Sequence, residues 1–77
     1  MNKTRRAMVS RASKSVHEAF DYIDSAYEQE SECLSNFPEN LSTSTKYEKL
    51  EEYTDLLEEA RDQLEYACNA VDQILTS

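Results

Sequence analysis

Leu50-Glu51-Glu52-Tyr53-Thr54-Asp55-Leu56-Leu57-Glu58-Glu59-Ala60-Arg61-Asp62-Gln63-Leu64-Glu65-Tyr66-Ala67-Cys68-Asn69-Ala70-Val71 is the stretch whose reading decides the fold. Leu50, Leu57, Leu64 and Val71 recur every seven residues, and Tyr53, Ala60, Ala67 and Ile74 form a second column three places on. Apolar residues at steps of three and four line one face of an α-helix, so this stretch predicts a long amphipathic helix. Leu56, Cys68, Ala70 and Leu75 widen its apolar face.

The first half of the chain repeats the pattern. Val9, Val16 and Ile23 are spaced by seven, with Ala12, Ala19, Ala26 and Cys33 in the intervening places. A third stripe of Phe20, Tyr27 and Leu34 runs beside them, wider than a two-helix contact requires. Between the two halves, Pro38 cannot continue a helix interior, and Asn36, Glu39, Asn40, Ser42, Thr43 and Ser44 favour turns and caps. Thr45 followed by Glu48 has the form of a capping box, Asn36 with Glu39 can cap a short turn, and Phe37 and Leu41 are expected to plug the closed end.

These readings predict an all-α antiparallel helical hairpin, with helix 1 over about 4–34, a loop over about 35–44 and helix 2 over about 45–76. Matching the columns sets Val9 opposite Val71, Val16 opposite Leu64, Ile23 opposite Leu57 and Glu30 opposite Leu50, with Ala12 against Ala67 and Ala19 against Ala60. Two rods of roughly 40–48 Å enclose little volume. Phe20, Tyr27, Leu34, Leu56 and Leu75 would stay wet, so they are the expected oligomer interface of a four-helix bundle or higher homo-oligomer, a dimer or tetramer.

Composition narrows the function. A chain of 77 residues makes one domain at most and is marginal in stability unless disulfides, metal or association help. Cys33 and Cys68 are too few for a disulfide framework or a four-ligand zinc site and read as small buried hydrophobes in a reducing cytoplasm. The chain has no glycine, which removes phosphate-binding loops, dinucleotide turns and nucleophile elbows. His17, the single histidine, has no second His or Cys at ligand spacing. No catalytic residue, metal or cofactor is therefore expected, and the chain reads as a non-enzyme. It has no signal-type apolar run and no stretch of about 18 apolar residues, so no membrane contact and a cytoplasmic location are expected.

The net charge of −8 is unevenly spread. Lys3, Arg5, Arg6, Arg11 and Lys14 precede every carboxylate, whereas helix 2 is strongly acidic. Glu48, Glu52, Asp55, Glu59 and Asp62 form a ridge at steps of four and three, with carboxylates roughly 5–6 Å apart along the axis. Such a ridge keeps a small protein soluble, and it also resembles the charge pattern of a nucleic-acid strand. The basic residues lie where helix 2's negative dipole end would be brought by the hairpin, but they supply more donors than one helix end uses. In the matched register Tyr66 lies close to Lys14, with Arg11 and Asn69 nearby. The leading reading is therefore capture of a nucleotide-like anion, Arg5, Arg6, Arg11 and Lys14 holding phosphates while Tyr66 and Asn69 contact base or ribose. Direct DNA binding is not expected, since the acidic remainder would repel the duplex.

The segment Glu28-Gln29-Glu30-Ser31-Glu32, then Asn36-Phe37-Pro38-Glu39-Asn40-Leu41, a Ser/Thr-rich turn and a Leu/Ala/Glu helix resembles short helical-hairpin proteins of bacteriophages and their bacterial hosts. The opening Met1-Asn2-Lys3-Thr4-Arg5-Arg6 is also similar to theirs, so the likeness spans nearly the whole chain. Some phage proteins of this size act against host defence, and the resemblance implies one of two such roles. One is sequestration of a phosphorylated, nucleotide-derived immune signal. The other is inhibition of a host defence protein by an acidic, nucleic-acid-like surface. A plain structural bundle is the remaining alternative.

Overall fold

The computed structural model describes residues 1–41 and 44–77. Ser42 and Thr43, part of the expected turn, lie outside the described residues. Helix α1 spans Lys3–Ser35 and helix α2 spans Thr45–Thr76, with a single 3-10 turn at Glu39–Leu41 between them. The described residues form a helical hairpin with no strand.

The ends of the helices follow from local hydrogen bonding. Asn2 caps α1, its side-chain oxygen accepting from the Arg5 N–H at 2.8 Å. Asn36 ends it, its N–H donating to the Glu32 carbonyl, and Pro38 follows where no helix can continue. At α2 the cap is Ser44, whose Oγ accepts from the Tyr47 N–H at 3.2 Å. The expected cap, Thr45, is already the first helical residue, because Ser44 takes the extended backbone that a cap requires. Phe37 packs edge-on against Tyr47 with ring centroids 5.3 Å apart and closes the loop end. Leu41, expected beside it as a plug, stays 48% exposed.

The seam between the helices differs from the one that the columns suggested. Along α1 the seam is lined by the half-buried Arg6, Val9, Ser13, Val16, Phe20, Ile23, and onward through Tyr27, Glu30 and Leu34, with Ala19, Asp24, Ala26 and Ser31 half-buried at its margins. Along α2 it is lined by Tyr47, Leu50, Leu57, Arg61, Leu64, Val71 and Leu75, half-buried, and by Thr54 and Cys68, buried, with Ala60, Ala67, Ala70, Asp72 and Ile74 half-buried at its margins. The Val/Ile and Leu columns are as expected, but the second column lies four residues on from each, not three. Phe20, Tyr27, Leu34 and Leu75 are thus half-buried within the hairpin and not left wet. Leu56, the fifth expected interface residue, is 53% exposed. On α1 apolar area accounts for the choice, since Phe20, Tyr27 and Leu34 remove far more of it than a column of alanines, whereas on α2 the inward column is Thr54, Arg61, Cys68 and Leu75 and Tyr53 stays 52% exposed. The alanine columns border one flank of the seam, where Ala19, Ala26, Ala60, Ala67 and Ile74 are half-buried and Ala12, Cys33 and Tyr53 are exposed.

The register also differs. His17 bonds Asp72, Asp24 and Tyr27 meet Arg61, and Phe20 shares a concavity with Cys68. Relative to the expected pairing, α2 is displaced along α1 by about one heptad, roughly 10 Å. A seven-residue slip leaves every column match intact, so only specific contacts distinguish the two registers. The displacement leaves roughly the first two turns of α1 projecting beyond the end of α2. The result is a rod of 59 × 15 × 14 Å with a radius of gyration of 17.3 Å, against about 11–12 Å for a compact chain of this length. Only Thr54 and Cys68 are buried among the described residues, at 6 and 5% exposure. The Thr54 hydroxyl donates to the Leu50 carbonyl at 2.8 Å, so its burial leaves no orphan.

Candidate functional site

Positions Glu48, Glu52, Asp55, Glu59 and Asp62 all point away from the seam and all are exposed, so the expected carboxylate ridge exists as a continuous line on the outer face of α2. The same steps of four and three carry it on through Tyr66 and Asn69. Tyr66, 78% exposed, lines an open concavity with Asp55, Glu58, Glu59, Asp62 and Gln63. From Glu48 to Tyr66 the ridge runs roughly 27 Å. Glu51, Glu58, Glu65 and Asp72 form a parallel line closer to the seam.

The basic residues lie elsewhere. Arg11 lines a second concavity with Lys3, Thr4, Ala7 and Met8 on the projecting part of α1. Arg5 and Lys14 are exposed. Arg6 turns back, its Nη2 donating to the Leu75 carbonyl at 3.0 Å. The last turn of α2 carries no basic residue, so Arg6 supplies from α1 the cation that the negative end of the α2 dipole favours. Asn69 borders a third concavity with His17, Phe20, Glu65 and Cys68. The structure therefore does not bring Tyr66 and Asn69 to Arg5, Arg6, Arg11 and Lys14 in one pocket of the chain. The heptad slip is the reason, since Tyr66 lies level with residues well inward of Lys14.

Two polar groups lie inside or beside the seam, Arg61, passed over on the sequence alone, and His17, placed there at no site. Arg61 lies 4.4 Å over the Tyr27 ring and contacts Asp24 at 3.9 Å and Asp62 at 3.3 Å. Burial alone would lower its pKa, but the Asp62 hydrogen bond and the charges of Asp62, Tyr27 and Asp24 outweigh it and raise the guanidinium above its ordinary value. His17 Nε2 lies 3.0 and 3.1 Å from the two Asp72 carboxylate oxygens. The signal for Arg61 was present in the sequence, as it stands seven from Thr54 and seven from Cys68 in the column that the seam uses. Cys68 is inert by environment: burial, then the charges of Asp72, Asp21 and Glu65, push its thiol above the usual range. Cys33 is exposed.

Among the described residues no cluster of three or more His, Cys, Asp or Glu side chains is arranged to hold a metal ion, and no helix is long and apolar enough to cross a membrane. No known protein family, curated protein or solved structure matches this chain.

Proposed function

We propose that this protein is a non-catalytic, self-associating helical binder that presents the acidic ridge of α2 to a basic, nucleic-acid-binding surface on another protein. The observation that carries this reading is the unbroken exposed line Glu48, Glu52, Asp55, Glu59, Asp62 and Tyr66 along about 27 Å of one rigid helix. Fixed spacing on a helix spares the binder the cost of ordering its backbone, and a groove lined with Lys and Arg can make charge-assisted hydrogen bonds to carboxylates as it does to phosphates. Tyr66 at the end of the line offers a flat ring to a site that stacks bases. In keeping with the phage-type resemblance, the partner would be a bacterial defence effector that acts on nucleic acid in the cytoplasm.

The test is capture of partners from a bacterial lysate on immobilised protein, with elution by duplex DNA. The expected result is a protein released by the duplex and lost when Glu52→Lys, Asp55→Lys and Glu59→Lys are combined, the variant remaining helical by circular dichroism. Capture that withstands the duplex, or that survives the triple reversal, refutes the reading. A second reading, capture of a phosphorylated small molecule at the N-terminal end, draws support from the concavity that Lys3 and Arg11 share. It requires that Arg11→Glu with Lys14→Glu abolish activity instead.

A further inference from the structure

The seam covers one flank of the hairpin only in part, half-burying Ala19, Ala26, Ala60, Ala67, Ala70 and Ile74 and leaving Met8, Ala12, Tyr22, Cys33, Tyr53 and Leu56 exposed. On α1 that flank carries Ala12, Ala19, Ala26 and Cys33, with Met8 and Tyr22 beside them. On α2 it carries Tyr53, Ala60, Ala67 and Ile74, with Leu56 and Ala70 beside them. In an antiparallel pair these columns lie on the same side, opposite the side where His17 meets Asp72, so they make a single face. Met8, Tyr22, Tyr53 and Leu56 are 65, 71, 52 and 53% exposed on it. The two columns and their outer neighbours, which add Arg5, Ser15, Gln29, Lys46, Lys49 and Gln63, contain no Asp or Glu at all. In a chain with sixteen carboxylates, that segregation is what pairing of two strongly negative copies requires.

We propose that a second copy of this chain covers this face, with the two hairpins running in opposite directions about a two-fold axis that crosses α1 near residues 22–23. This specifies the self-association proposed above and rests on it. Surface area supports an occupant of this size. The chain exposes 5984 Å², whereas a compact monomer of 8.9 kDa exposes about 4,800 Å². The excess of about 1,200 Å² exceeds the roughly 800 Å² per partner of a standard interface.

Self-complementarity supports the identity of the occupant. Inverting α1 on itself at that axis puts Ala19 against the partner's Ala26 and Ala12 against the partner's Cys33, so the backbones can approach closely. Inverting α2 puts Ala60 against the partner's Ala67 and Tyr53 against the partner's Ile74. The midpoints of both columns fall at one height, because Phe20 with Cys68 on one side and Asp24 with Arg61 on the other bracket them. Charge selects the direction. Inverted hairpins bring Arg11 beside the partner's Glu32 and the basic projecting end beside the partner's loop end, where Glu28, Glu32 and Glu39 lie. Aligned hairpins would instead stack five cations on five and set Glu32 against the partner's Glu52.

The experiment is sedimentation of the full chain together with oxidation of the Ala12→Cys variant, which keeps Cys33. Within one chain these two positions are about 30 Å apart, so a bond between them can form only between copies. The expected result is a dimer that becomes covalent on oxidation, loses the cross-link when Cys33→Ser is added, and keeps the helicity of the unchanged protein. A dimer that fails to cross-link overturns the face and direction assigned here while leaving self-association standing. A monomer at micromolar concentration overturns both.

Discussion

Replacing Phe20 by alanine tests the seam and the register together. Phe20 is half-buried between α1 and α2 in the concavity that also holds Cys68. A fully buried Phe→Ala costs about 3–5 kcal/mol, so partial burial scales the expected loss to about 2–3 kcal/mol. The whole stability of a 77-residue domain is about 4–12 kcal/mol, so the midpoint of thermal unfolding should fall by about 10–20 °C. Urea unfolding followed by circular dichroism at fixed protein concentration measures it, with Tyr66→Ala, at a 78% exposed site, changing stability by less than about 0.5 kcal/mol. Adding Cys68→Ala then reads the register. If Phe20 and Cys68 share a contact, the two losses fail to add by about 0.5 kcal/mol or more. In the register suggested by matching Val16 to Leu64, they would be roughly a heptad apart and the losses would add. A loss below about 1 kcal/mol for Phe20→Ala, or strict additivity with Cys68→Ala, refutes the packing described.

Further outcomes follow from the caps and the buried thiol. Ser44→Ala should destabilise the hairpin by about 1 kcal/mol while Thr45→Ala leaves it nearly unchanged, because the cap bond to the Tyr47 N–H belongs to Ser44; urea midpoints of the two variants decide this. Cys68 should resist a thiol reagent at pH 8 until the chain unfolds, as followed by mass spectrometry in native buffer and in urea. The folded-state pKa of Cys68 is raised, so the stability linked to it is complete below the ordinary thiol range, about 8.5, and drains as pH rises above that. Urea midpoints taken between pH 8 and pH 10 should therefore fall more steeply for the unchanged protein than for Cys68→Ala.

The sequence by itself determined that the chain is a helical hairpin and where its helices begin and end, because helical periodicity, Pro38 and the Ser/Thr turn are local signals. The carboxylate ridge was equally legible, since a line of exposed residues on one helix depends only on the 3.6-residue period. Three matters were left to tertiary structure. The Val/Ile and Leu columns each had two possible companions; on α1 the larger Phe20, Tyr27 and Leu34 went inward because they remove more area from water, while on α2 Thr54, Arg61 and Cys68 went inward and Tyr53 did not. The register was degenerate under a seven-residue slip, and unique contacts of Arg61, His17 and Cys68 select among the alternatives. That choice carried Tyr66 away from Lys14 and onto the acidic ridge. A nucleotide pocket spanning both helices depended on the register, while the ridge within α2 did not, which is why one reading lost its geometry and the other kept it.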